Sequence, residues 1–389
     1  MPWKVLPVHE VRFALVHAIR HLNLPVAAAA RQFGVSRRVA YKWLARHDAE
    51  PDAALADRSR RPHASPARTA GDVEQHVLRV RDRFNWGPRK IHFFLLRRQR
   101  DLTTGPVPAG PVPAVRTVAD ILRRHGRIPV EGAPAPRAPA RFERSTPNAL
   151  WQVDFKGPVE VDRRKLMPLS VIDDHSRYCL AYRPCADVTM DSAWAVLWDV
   201  FGDVGLPEQI LADNAFNTMG TARPAGISAF DAKLVRLGIR PSHGRPYHPQ
   251  TQGKVERLNG SSVRELIDFN ARRDCPRHFE IDCRTWRGVY NTLRPHEALG
   301  DCPPVTRWRP SPRPRPPALP EVVYGAGAAL RTVSGTGIIS FNGRRILCGR
   351  GIAGQRVQIK EHDHELLVCY ATRTIRRLST SDLRKDTVL

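Results

Sequence analysis

The chain has 389 residues, too many for one ordinary domain, and a formal net charge of +24 that favours a polyanionic partner. Hydrophobic residues make up 42% and charged residues 26%, the balance of a folded protein rather than a disordered one. No run approaches the ~18 apolar residues of a membrane span, no apolar leader with a cleavage site opens the chain, and no long basic amphipathic helix stands alone for acidic lipid, so membrane and secreted classes are not expected.

Residues 1–50 read as three short helices. In His9 to Arg20, Val11, Leu15, Ala18 and Ile19 fall at helical spacing, and Pro25-Val26 opens an Ala-rich helix that ends near Phe33-Gly34. Ser36 is placed to cap a third helix, Arg37 to Arg46, because its hydroxyl can accept a backbone N–H of the next turn. A short helix, a Gly turn and a Ser-capped basic helix form a helix-turn-helix pattern in which Arg37, Arg38 and Lys42 face a DNA groove. The alternative is a small helical bundle with a solvated basic face. Residues 51–68 are Pro-, Ala- and Arg-rich and read as a linker. A second helical unit, of winged-helix or helix-turn-helix kind, is expected over 69–127. Its helices run from Val73 to Phe84, Ile91 to Arg98 and Ala114 to His125, with Trp86-Gly87-Pro88-Arg89-Lys90 breaking the first from the second.

After a second linker, 128–146, the period changes. Trp151, Val153 and Phe155 alternate with Gln152 and Asp154, a strand pattern. Leu166 to Ile172 and Tyr178 to Tyr182 are two further strands, joined by a turn at Asp173-Asp174-His175-Ser176-Arg177. Met190 to Val204 is a helix, Gln209 to Ala212 a short buried strand, Ile227 to Leu237 a helix, and Ile239 starts another strand. Gly253 to Phe269 and Phe279 to Leu293 read as helices. This order gives an α/β core with a mixed sheet over 147–301. Residues 302–321 carry prolines at 303, 304, 310, 312, 314, 316, 317 and 320 and read as a linker. Residues 322–389 hold short β runs that suit a small β-barrel. The seven cysteines, Cys179, Cys185, Cys275, Cys283, Cys302, Cys348 and Cys369, form no Cys-x-x-Cys pair, which argues against a zinc finger and for a reducing compartment.

Three carboxylates stand where chemistry could use them. Asp154 lies in a strand on the face opposite Trp151, Val153 and Phe155, Asp213 ends a strand, and Glu256 lies in the first turn of a helix. Together without cations they would repel; acting on phosphodiesters they would hold two Mg²⁺ ions about 3.5–4 Å apart. Mg²⁺ prefers oxygen ligands, so Asp and Glu suit it. Each Asp alone also fits a turn, a cap or a salt bridge.

Trp151-Gln152-Val153-Asp154-Phe155-Lys156-Gly157, Ile172-Asp173-Asp174-His175-Ser176-Arg177-Tyr178 and the stretch from Gly238 through His248-Pro249-Gln250-Thr251-Gln252-Gly253-Lys254-Val255-Glu256-Arg257 resemble the integrase core of DDE transposases. The resemblance points to the IS481 group, related to IS3 transposases and retroviral integrases. Arg144 to Leu150, Tyr290-Asn291, Arg294-Pro295-His296-Glu297-Ala298-Leu299-Gly300, Asp57-Arg58-Ser59-Arg60-Arg61-Pro62 and Trp86-Gly87-Pro88-Arg89-Lys90 also fit. It implies an α/β RNase H-like core preceded by all-α helix-turn-helix domains and followed by a small β-barrel-like domain. It implies Asp154, Asp213 and Glu256 as the catalytic and metal-binding triad. It further implies Mg²⁺ (or Mn²⁺) as cofactor and double-stranded DNA, both repeat ends and target, as partner. A homo-oligomer on DNA and a cytoplasmic, nucleoid-associated location are implied by the same likeness. Its activity would be 3′-end cleavage at terminal inverted repeats and strand transfer, without a covalent enzyme intermediate.

Lys156, Lys254 and Arg257 flank the triad and are expected to contact the DNA backbone, while His243, His248 and Gln252 are candidates for the substrate channel. Asp173 and Asp174 are read as turn residues. The interval from Asp213 to Glu256 is longer than the compact spacing of the class, with the excess around Asn217–Gly226. Ala215 replaces the usual Gly after Asp-Asn, and Gly260 and Val263 stand where basic residues usually follow the glutamate. A catalytically inactive DNA-binding repressor derived from a transposase is therefore the alternative of a different class, and a nuclease that hydrolyses without joining is a third.

Overall fold

The computed structural model describes residues 7–51, 55–58, 69–101, 110–128, 143–213, 226–243 and 253–379. Ala215, Asn217, His248 and Gln252, and most of both sequence-expected linkers before the core, lie outside these residues. The chain falls into two compact units, Met1–Arg68 and Thr69–Leu389.

The first unit holds α1 (Val8–Arg20), α2 (Val26–Gln32) and α3 (Arg37–Ala49). They close around Leu15, Val16, Ala29, Ala40, Trp43 and Leu44. Ser36 caps α3 as expected, its hydroxyl accepting the Val39 N–H at 3.3 Å.

The second unit opens with α4 (Gly71–Phe84), α5 (Pro88–Arg100) and α6 (Val115–Arg124). Pro88 begins α5, where its missing N–H costs nothing. The three helices pack around Trp86, Phe94, Ile91 and Ile121, and no strand accompanies them among the described residues 69–128.

A six-stranded mixed sheet comes next. Its strands are β1 (Trp151–Phe155), β2 (Val159–Val161), β3 (Arg164–Asp173), β4 (Cys179–Cys185), β5 (Gln209–Ala212) and β6 (Arg240–His243). β1 pairs antiparallel with β3 and parallel with β5, and β5 pairs parallel with β6. Side chains alternate across the sheet. Trp151 and Val153 therefore join the core that covers one face together with α7 (Met190–Val204) and α8 (Ala229–Arg236). The other face buries Ile172, Cys179 and Tyr182 against α9 (Gly253–Ser262) and α10 (Pro276–Thr292). The helix expected to run unbroken to Phe269 instead turns, after Ser262, into a π-helical turn, Val263–Ile267.

The C-terminal strands form a four-stranded antiparallel sheet and a two-stranded hairpin. β7 (Ala329–Thr332), β10 (Arg356–His362), β11 (Glu365–Tyr370) and β12 (Arg373–Ser379) make the sheet, and β8 (Ile338–Phe341) with β9 (Arg344–Leu347) the hairpin. Their core includes Ile227, Ala232 and Val235, so α8 is shared between the two sheets. The join is tight: a Cβ on Gly351 would sit 2.2 Å from the Ala229 nitrogen.

The Pro-rich segment before this sheet lies pinned along the core. Trp308 stacks on Tyr178 with ring centroids 4.0 Å apart. Arg313 donates to the carbonyls of Pro207, Leu237 and Gly238. Ser311 N–H donates to Val204 O and Leu206 N–H to Arg313 O. Gly205, at φ +83°, leaves room for this crossing, since a Cβ there would stand 2.7 Å from the Arg313 oxygen.

Candidate active site

The parallel pairing of β1 and β5 decides where two of the carboxylates go. Val153 pairs with Ala212, so Asp154 and Asp213 each follow by one residue at neighbouring positions of adjacent strands. Glu256 reaches them from the first turn of α9, which packs over β1 and β3. Asp213 and Glu256 are exposed, and Asp154 is half-buried.

The electrostatics report this convergence. Burial pushes the Asp154 carboxyl up to about 6, and the Asp213 and Glu256 charges push in the same direction. Hydrogen bonds from the Phe155 backbone and the Asn259 side chain oppose the rise. Three mutually repelling carboxylates with only oxygen donors fit a hard divalent cation, and Asp154, Asp213 and Glu256 are the residues that would hold it.

Two side-chain rungs tie β1 to α9. Asn259 donates its amide N–H to Asp154 Oδ2 at 2.9 Å and accepts the Ser170 hydroxyl at 2.5 Å. Gln152 accepts the Val255 N–H at 3.3 Å and donates to Asp174 Oδ1 at 2.9 Å. Gln152 and Asp154 share a strand face, and Val255 and Asn259 are one helical turn apart. A slip of the helix by one residue would break both rungs, so together they fix the register that places Glu256.

Asp174 is fully buried and anchors this arrangement. Lys254 Nζ lies 2.5 Å from its Oδ1, and the Arg144 N–H donates to its Oδ2 at 2.8 Å. Asp173, equally buried, accepts the N–H and hydroxyl of Ser176 and the Asn148 N–H. Both acids do turn and anchoring work, as expected of turn residues.

The basic residues singled out in the sequence divide. Lys254 directs its ammonium inward to Asp174. Arg257 is exposed and Lys156 half-buried. Arg37, Arg38 and Lys42 are exposed on α3 of the first unit. His243 ends β6 beside Ala212 and pairs through Nε2 with Asp231 at 3.0 Å. Sequence reasoning missed Asn259 and Gln152. Asn259 follows Glu256 by one helical turn, a spacing that could have flagged it.

The chain is similar in part to several known proteins. Residues 144–249 and 237–304 match two family models described as "Integrase core domain", and residues 9–83 match one described as "leucine-zipper of insertion element IS481". A 39.2 kDa protein of insertion element IS476 from Xanthomonas euvesicatoria is 27% identical over 163 residues. That alignment covers 41% of this chain and 44% of the relative, so less than half of the relative's length is spanned. The HTLV-2 integrase catalytic core domain, solved in complex with magnesium, is 19% identical over 42% of this chain and 97% of its own, with a TM-score of 0.33. A simian T-cell lymphotropic virus intasome chain, solved with the PP2A regulatory subunit B56 gamma, is 15% identical over 78% of this chain and 96% of its own, with a TM-score of 0.39. The mixed sheet and its flanking helices lie within the residues that match the integrase core models. Residues 9–83 are thus similar to the leucine-zipper segment of insertion element IS481, and residues 144–304 to integrase core domains.

Proposed function

We propose that the protein cleaves DNA at the 3′ ends of the terminal inverted repeats of an insertion sequence and joins the freed ends to target DNA, using Mg²⁺. The observation that carries this reading is the pairing of Val153 with Ala212, which sets Asp154 and Asp213 side by side, beneath the helix whose first turn carries Glu256. Bound by these three, a divalent cation supplies Lewis-acid stabilisation of the charge that builds on a phosphodiester during displacement.

The chain's own residues do the rest. Asp154 would hold the cation together with Asp213 and Glu256, and the Asn259 amide keeps its Oδ2 in place. The Gln152 and Asn259 rungs keep Glu256 over the strand ends. Lys156 and Arg257 take the DNA backbone beside the triad, and Arg37, Arg38 and Lys42 of the first unit contact the duplex through the exposed face of α3. Two repeat ends held together call for at least two copies of the chain on DNA.

The test is Mg²⁺-dependent nicking at the 3′ end of a repeat oligonucleotide read from DNA flanking the gene, wild type beside Asp154→Asn. Nicking by wild type alone is expected. Binding without nicking by either, in Mg²⁺ and in Mn²⁺, would replace this reading with the DNA-binding repressor. Hydrolysis without joined product would replace it with a nuclease.

A further inference from the structure

Two stretches of sequence have no part in the carboxylate site: Trp86-Gly87-Pro88-Arg89-Lys90, which runs from the α4–α5 turn into the first turn of α5, and Arg294-Pro295-His296-Glu297-Ala298-Leu299-Gly300, after α10. They meet at one buried carboxylate, Glu265, whose side chain is 4% exposed. Lys90 Nζ donates to Glu265 Oε1 at 2.8 Å, and Trp86 Nε1 donates to Oε2 at 3.3 Å. Arg294 grips the same carboxylate with Nε at 2.9 Å and a terminal nitrogen at 3.0 Å, and also donates to Ser261 Oγ at 3.1 Å. Burial pushes the Glu265 carboxyl up, but Arg294 and Lys90 outweigh it and hold the group below its ordinary value, so it is charged.

Glu265 belongs to the π-helical turn that continues the Glu256 helix. In that turn the Asp268 N–H reaches back to the Val263 carbonyl. The extra residue rotates the rest of the turn by roughly 100° relative to an unbroken α-helix. Before the turn, Val255 and Leu258 pack on the sheet; Glu265 faces Trp86 and Lys90 of the helical module. The contact continues on either side. Asn85 Nδ2 donates to the Arg264 carbonyl at 2.8 Å. Arg89 forms two bonds to Asp301, at 2.9 and 2.6 Å.

Burying one anion with two cations is a poor way to gain stability, because desolvation offsets the attraction and apolar residues of the same volume often do better. What such a cluster supplies is a single register, since only one placement satisfies every donor.

We propose that residues 69–128 and the Glu256 helix are coupled through Glu265, so that DNA held by this helical module sets the position of Glu256. Glu265 and Lys90 are then positioning residues. This rests on the function proposed above for the carboxylates and extends it to control of that site.

The experiment uses the full chain and the repeat-end duplex, with wild type, Lys90→Met, Lys90→Arg and Glu265→Gln, each shown to melt cooperatively. Three quantities are read: end-DNA affinity, the single-turnover nicking rate, and amide hydrogen exchange over 253–262 with and without DNA. In wild type, DNA slows exchange across this helix. In Lys90→Met and Glu265→Gln that slowing disappears and nicking falls about tenfold while affinity stays within about twofold. Lys90→Arg, which keeps the cation, restores both. Wild-type exchange and nicking in Lys90→Met and Glu265→Gln would overturn the coupling. So would equal loss in Lys90→Met and Lys90→Arg, which would make the site a matter of packing. A wild type whose helix responds to DNA but which does not nick would sink the catalytic reading and leave the coupling standing.

Discussion

Asn259 hands its amide hydrogen to Asp154 across the gap between α9 and β1, at 2.9 Å, three residues after Glu256 on the same helix. The bond favours the ionised carboxylate and so works against the burial and the neighbouring charges that push Asp154 up to about 6. In Asn259→Leu the proton is held more tightly, and a cation must displace it. The acid limb of the pH–rate profile for nicking should move upward by about one pH unit, the worth of one hydrogen bond to a charged group. Single-turnover rates between pH 5 and 8 at fixed Mg²⁺ read this directly; an unmoved limb would remove Asn259 from the site.

The same shift predicts how stability depends on pH without metal. The folded-state value of Asp154 lies above its unfolded value, so the folded protein binds the extra proton between about pH 4 and 6. Stability from this group is therefore full below about pH 4 and is lost as pH rises through about 6. Asp154→Asn removes the loss. Metal-free Asp154→Asn should melt above wild type at pH 7.5, and Mg²⁺ should raise the wild-type Tm but not the variant's. Thermal melts in EDTA and in Mg²⁺ check both halves.

Lys254 and Arg257 lie one helical turn apart and should behave differently. Lys254→Ala leaves Asp174 buried without its cation, at a cost of about 3–5 kcal/mol in urea unfolding. Arg257→Ala should leave stability unchanged and reduce the slope of log affinity against log salt by about one, the signature of a lost phosphate contact. Titrations of end DNA at several salt concentrations separate the two.

Gly351 is where the C-terminal sheet comes against α8 backbone to backbone. Gly351→Ala places a methyl 2.2 Å from the Ala229 nitrogen, and the two layers must part. A loss of about 1–3 kcal/mol is expected, with earlier proteolytic cleavage of the C-terminal sheet.

Much of this fold could be read from residue order because it depends on local periodicity. Trp151, Val153 and Phe155 alternate, and α7 shows its buried stripe of Leu197 and Phe201. The features that escaped depend on partners far apart in the chain. Nothing near Gln152 announces that its side chain will bridge Asp174 and the Val255 N–H. The π-turn has no local signature in Val263–Ile267; it is stabilised by Trp86 and Lys90 from another module. Between the prolines at 303–320 only a single 3₁₀ turn forms, Pro304–Arg307, and composition says nothing about whether such a segment is anchored. This one is, because beyond its single 3₁₀ turn its backbone bonds the core, through Ser311 N–H to Val204 O and Leu206 N–H to Arg313 O.

That anchoring bears on how the protein can be taken apart. A catalytic fragment ended near residue 301 would strip Trp308 from Tyr178 and leave the carbonyls of Pro207, Leu237 and Gly238 without the Arg313 guanidinium. It would also bare the side of α8 that Ala232 and Val235 present to the C-terminal sheet. Scissors applied at the last helix of the integrase core would thus yield a sticky, aggregation-prone product, and exchanging C-terminal sheets among relatives would succeed only when α8 and the proline segment travel with them.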